Sequence, residues 1–122
     1  MSAASSQASA FYEQVAREGV VFTFTAGGDY LVFPVRGKEV VPFWSSRSRM
    51  VKVQNAHPKY ASYTVSEEPL AEFLDDTLAI FLEQNICIGV NWSGARLVGY
   101  DIEPAELRRN IGYWVGKFSA ES

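Results

Sequence analysis

The chain has a single cysteine and a single histidine, and that scarcity removes several kinds of chemistry at once. Cys87 alone cannot close an intramolecular disulfide, and His57 alone cannot supply a His-rich metal site, so neither metal nor cofactor is expected. Cys87 stands in the apolar run Ile86-Cys87-Ile88, where a small buried side chain fits, and not in the electropositive, partly exposed setting of a reactive thiol. His57 precedes Pro58 and reads as a helix stop, and no Gly-x-Ser-x-Gly turn is present to carry a nucleophile. Gly27-Gly28 is too short for a phosphate loop or a dinucleotide fingerprint and is explained by a hairpin turn. These absences argue against an enzyme without closing the question.

Long apolar runs are also missing. Nothing approaches the roughly 20 residues of a membrane-spanning helix. The opening residues 1–10 are rich in Ser and Ala and lack the basic start and apolar centre of a secretion signal. They read as a disordered tail ahead of a single domain over 11–118, in a cytoplasmic protein. Positive charge is short as well: 11 Lys and Arg against 14 Asp and Glu leave a net charge of -3, with no basic footprint for nucleic acid.

What is present is ordinary globular material, 48% apolar and 14% aromatic in 122 residues, enough for one core. Phe11, Tyr12, Val15 and Ala16 have the spacing of a short amphipathic helix that Gly19 ends. Val20 to Ala26 and Tyr30 to Arg36 are strand-like around Gly27-Gly28-Asp29, a hairpin. A short extended piece follows at Val40 to Phe43, with Pro42 suited to an edge or a strand end. Ser45 or Ser46 then caps a helix over Arg47 to Asn55, with Met50 and Val53 inward.

Tyr60 to Val65 alternates like a strand, and Ser66-Glu67-Glu68-Pro69 has the marks of a helix start. Leu70, Phe73, Leu74, Leu78, Phe81 and Leu82 fall on one helical face. Asn85 caps that helix, Ile86 to Trp92 reads as a strand buried on both faces, and Arg96 to Ile102 returns after Ser93-Gly94. A last helix opens at Pro104 and carries Leu107 and Ile111. The order α-β-β-α-β-α-β-β-α predicts an α+β fold: a mixed, mainly antiparallel sheet of about five strands with helices packed on it.

The segments Pro42-Phe43-Trp44-Ser45-Ser46 and Gly89-Val90-Asn91-Trp92-Ser93-Gly94, followed by Gly99-Tyr100, carry a resemblance. From about Phe11 to Ile111 the chain resembles the bacterial family known as domain of unknown function 2750, with its Leu-x-x-Phe-Leu helix and the closing Pro104 to Leu107 in order. The resemblance implies a small stand-alone bacterial domain and brings no catalytic residues. The succession of strand, Pro-Phe-x-Ser and helix is more distantly similar to the SseB-type, serine-sensitivity enhancer domains, a likeness of fold from which function does not follow.

Two sets of residues are candidates for function. Ser45, Ser46, Arg47 and Arg49 bring hydroxyls, free backbone N–H groups and guanidinium groups to a helix start, a pattern that suits an anion as well as plain capping. The second set is a surface for another protein. Arg36 to Lys59 holds six basic residues and one acid, whereas Ser66 to Glu83 holds six acids and no base. Glu72, Asp75 and Asp76 on the predicted helix would steer a basic partner, unless the two stretches neutralise each other. Trp44, Trp92 and Tyr100 either cover the core or gather as an aromatic recognition surface. The leading expectation is a non-enzymatic domain that binds another protein, of adaptor or toxin-neutralising type; the alternative is a small-molecule or anion binder. Sheet edges leave monomer and homodimer both open.

Overall fold

The computed structural model describes residues 3–121; Met1 and Ser2, part of the expected tail, lie outside them. Residues 3–10, expected to be frayed, instead form the first turns of α1 (Ala3–Glu18). The reason is tertiary: Ala8 is buried in the core and Gln7 Nε2 donates to Ser93 Oγ across the molecule.

β1 (Val20–Ala26) turns at Gly27 and Gly28, both at positive φ, and returns for only two residues as β2 (Asp29–Tyr30). The expected second arm of this hairpin breaks there. Tyr30 is held edge-on to Phe81 at 5.3 Å, while Phe33 packs on Trp92 at 5.4 Å, so two aromatic anchors draw the chain into different layers. β3 (Phe33–Val35) therefore pairs with β4 (Lys38–Phe43) in a second sheet. The orders are β2-β1-β5, where β5 is Thr64–Pro69, and β3-β4-β6-β7, where β6 is Ile86–Ser93 and β7 is Val98–Ile102. The class is α+β, with seven strands in two sheets among the described residues where about five in one were expected. Every pairing is antiparallel except that of β4 with β6, and a bridge between Phe22 and Trp44 joins the two sheets.

Pro42 lies one residue from the end of β4, as the strand-end expectation has it, but in an inner strand and not at a sheet edge. Its tolerance has a local cause: β3 pairs only as far as Val40 and β1 bonds the end of β4 through the backbone only at Trp44, so neither neighbour asks for an N–H at position 42. The Pro42 carbonyl accepts the Thr23 hydroxyl at 2.7 Å.

α2 (Arg47–Ala56) starts and stops where capping rules place it, with His57-Pro58 ending it. The residues expected to begin a strand at Tyr60 form a 3-10 turn over Pro58–Ser62, and Ser66 to Pro69, expected as a helix start, belong to β5 in full register with β1. The helix begins at Leu70. α3 (Leu70–Glu72) runs through a π turn at Phe73–Thr77 into α4 (Leu78–Glu83), the Leu78 N–H reaching back five residues to the Phe73 carbonyl. α5 (Pro104–Glu121) closes the chain. No helix among the described residues is long and apolar enough to cross a membrane.

The period-two alternation of β4 and β6 divides the core. Val41, Phe43, Ile88 and Val90 face one way, into a cluster with Phe11, Phe73, Leu107 and Ile111 from the helices. Val40 and Cys87 face the other, with Phe24, Trp44, Met50 and Tyr60, and Trp92 joins them because a bulge between Val90 and Ser93 breaks the alternation of β6.

Candidate functional site

Ser46, extended at φ -156° and ψ 156°, caps α2 by accepting the Arg49 N–H on its hydroxyl at 3.3 Å. Helical spacing then sets Arg49, Lys52 and Ala56 along one flank of α2. That flank faces the turn between β6 and β7, and the two enclose a pocket of about 530 Å³. Ser46, Ser48, Arg49 and Lys52 form one wall, Ser93 and Gly94 the other, with Asn91, Trp92 and Gln14 behind. Among the described residues no acidic side chain lines it, and neither Arg49 nor Lys52 has an ion-pair partner.

Behind the pocket lies a buried polar network. β6 bulges between Val90 and Ser93, and Asn91 takes a left-handed φ of 50° there, a conformation Asn accepts more readily than most residues. Its side chain thereby points at the chain entering α2. Asn91 Oδ1 accepts the Ser45 N–H at 2.9 Å, Asn91 Nδ2 donates to Ser45 Oγ at 3.0 Å, and Ser45 Oγ donates to Gln14 Oε1 at 2.6 Å. Among the described residues no buried side-chain nitrogen or oxygen is left without a partner. On the far side of the turn His57 Nε2 meets the Gly94 carbonyl at 2.9 Å, tying the end of α2 to the opposite wall. The pocket is thus fixed at the cap, the bulge and the turn.

Of the four residues expected to meet an anion, the structure brings Ser46 and Arg49 to the pocket. Ser45 is fully buried in the network with Asn91 and offers nothing to a ligand. Arg47 points elsewhere, its guanidinium 5.5 Å from the centre of the Phe22 ring. Sequence reasoning missed Lys52, Ser48, Gln14 and Asn91; the i, i+3 relation of Arg49 to Lys52 was a usable signal for the first.

The aromatic surface does not form. Trp44 and Trp92 are core residues, 1% and 4% exposed. Trp44 Nε1 donates to the Trp92 carbonyl at 2.8 Å, and Trp92 Nε1 to Asp101 Oδ1 at 2.9 Å, so each indole N–H is satisfied inside. Tyr100 packs with the helix-side cluster on the other face of the sheet. Burial pushes the Asp101 carboxyl above its ordinary range, opposed by the Trp92 hydrogen bond and by Arg36. Burial likewise raises the Cys87 thiol, keeping it protonated.

Glu72, Asp75 and Asp76 are exposed. Asp75 is paired with Arg108 at 3.2 Å, and among the described residues no ion pair joins the basic stretch to the acidic one. The two stretches meet where Lys38 and Glu39 line one cavity with Phe81 and Leu82, and among the described residues they do not neutralise each other through ion pairs. No group of three His, Cys, Asp or Glu among the described residues is placed to hold a metal ion.

Residues 8–111 match the family described as Protein of unknown function (DUF2750), and the chain belongs to that family. The matched span runs from α1 into α5 and contains every residue of the pocket. No curated protein matches the chain.

Proposed function

We propose that this domain binds a small anionic ligand, of phosphate or carboxylate type, in the pocket between α2 and the β6–β7 turn. The observation that carries the reading is the convergence of Arg49 and Lys52, without acidic partners among the described residues, on a pocket that also holds the Ser46 and Ser48 hydroxyls. A guanidinium offers paired donors to a phosphate or carboxylate, and an ammonium adds a mobile point charge. The first turn of α2 contributes the positive end of its dipole on the same side.

The pocket is set up for binding and not for turnover. Its serine hydroxyls have no general base: His57, the single imidazole, spends Nε2 on the Gly94 carbonyl. At about 530 Å³ it exceeds one phosphate group, so the ligand is a small molecule or chain segment that carries the anion.

Thermal unfolding of the intact chain tests this with inorganic phosphate, pyrophosphate and citrate at constant ionic strength. A ligand held at a hundred times its Kd adds about 2.7 kcal/mol, a shift of several degrees for a domain of this size. Pyrophosphate or citrate is expected to give such a rise in Tm. A flat response to all three anions removes the reading.

A further inference from the structure

We propose that the groove where α4 meets the start of α5 docks a basic amphipathic helix of another protein, with two of its apolar side chains straddling Leu82. The groove originates in the π turn. A π turn takes up more residues than an α turn, so the side chains beyond it are rotated from the phase that the apolar stripe implies. Thr77 turns inward, its hydroxyl donating to Glu68 Oε1, and Leu82 turns outward to 58% exposure.

Leu82 stands as a ridge between two cavities of about 530 and 290 Å³ that share Leu82, Pro104 and Ala105 as walls. Phe81 and Ile86 line the larger, Leu74 and Leu78 the smaller. Apolar side chains one helical turn apart lie about 5–6 Å from each other, a spacing that seats one on either side of a leucine ridge. The charges select the partner. Both cations in the groove are occupied, Lys38 by Glu103 at 3.6 Å and Arg108 by Asp75 at 3.2 Å. Glu39 in its wall and Glu83 beside Leu82 have no cationic partner among the described residues. Among the side chains that line the groove the unspent charge is negative, that of Glu39, and it complements lysine or arginine flanking the apolar pair.

The test uses fluorescence anisotropy of the intact chain with two labelled helical peptides, one of Leu and Lys and one of Leu and Glu in the same amphipathic pattern. The Lys peptide is expected to bind at least tenfold more tightly than the Glu peptide. Leu82→Ala should weaken it about tenfold, the loss expected for one well-buried leucine. Ile80→Ala, at a side chain 50% exposed and outside both cavities, should leave it unchanged. Both positions are exposed, so neither variant threatens the fold. Equal binding of the two peptides, or indifference to Leu82→Ala, overturns the proposal. So does self-association in sedimentation that Leu82→Ala abolishes, which would make the occupant a second copy of the chain.

Discussion

Asn91 holds Ser45 across 46 positions of sequence, its Oδ1 accepting the Ser45 N–H at 2.9 Å within the core. This bond sets where α2 begins, and therefore where Arg49 and Lys52 stand. Two local costs support it: a left-handed backbone at Asn91 and the burial of an amide. Asn91→Ala removes the partner of a buried N–H and puts a Cβ-bearing residue without a compensating side chain at positive φ. The expected loss in chemical denaturation is about 3 kcal/mol. Asn91→Gly loses the same hydrogen bonds but relaxes the backbone, so it should cost about 1 kcal/mol less than Asn91→Ala. Equal losses would show that the backbone at 91 is not strained.

The Trp92 indole occupies the space above Gly89 and Gly99. A Cβ at 89 would stand 2.4 Å from the ring and one at 99 would stand 2.8 Å from it, distances that require the ring or the strand to move. Gly89→Ala is expected to destabilise by about 1–3 kcal/mol through overpacking. Gly112 and Gly116 on α5 are the opposite case, with nothing within 4 Å of an added Cβ and no positive φ. Either one changed to Ala should stabilise by about 0.5–1 kcal/mol through lost unfolded-state freedom. Urea denaturation of the three variants separates the two effects.

How far the sequence discloses this molecule depends on the range of the interaction that decides each feature. α2, with its serine cap and His57-Pro58 stop, and β6, with its apolar run, are set by neighbours in sequence and are legible there. The apolar stripe announces a helix after Leu70, but the π turn within it is invisible, because Thr77 faces inward toward Glu68 of another element. The strand at Ser66 to Pro69 imitates a helix start and is overruled by its full pairing with β1. In the pocket, Ser46 and Arg49 follow from the cap. Asn91 does not, since its role rests on a bulge and on Ser45. Trp44 and Trp92 read as core ahead of surface in the sequence, and the glycines at 89 and 99 that make room for the Trp92 indole come together only in the folded sheet.

Asp101 gives the fold a pH signature. Burial beside Trp92 raises its carboxyl above the ordinary value of 3.8. The folded chain therefore holds this proton over a range in which the unfolded chain has released it, and stability falls as pH rises through that window and then levels off. Asp101→Asn keeps an oxygen for the Trp92 Nε1–H and removes the titration. Its stability relative to the unaltered chain should improve from pH 3 to pH 7, where the carboxyl is ionised. A difference that is constant across that range would mean that Asp101 titrates alike in both states.

Isothermal titration of pyrophosphate into the intact chain tests the binding account most directly, with Arg47→Ala and the double change Arg49→Ala/Lys52→Ala alongside. Arg47 lies over Phe22 and outside the pocket, so its variant should bind as the unaltered chain does. The double variant should lose at least a hundredfold in affinity, about 1.4 kcal/mol for each charge-assisted contact, while melting at an unchanged temperature. Undiminished binding by a folded double variant would contradict the assignment of the anion to this pocket.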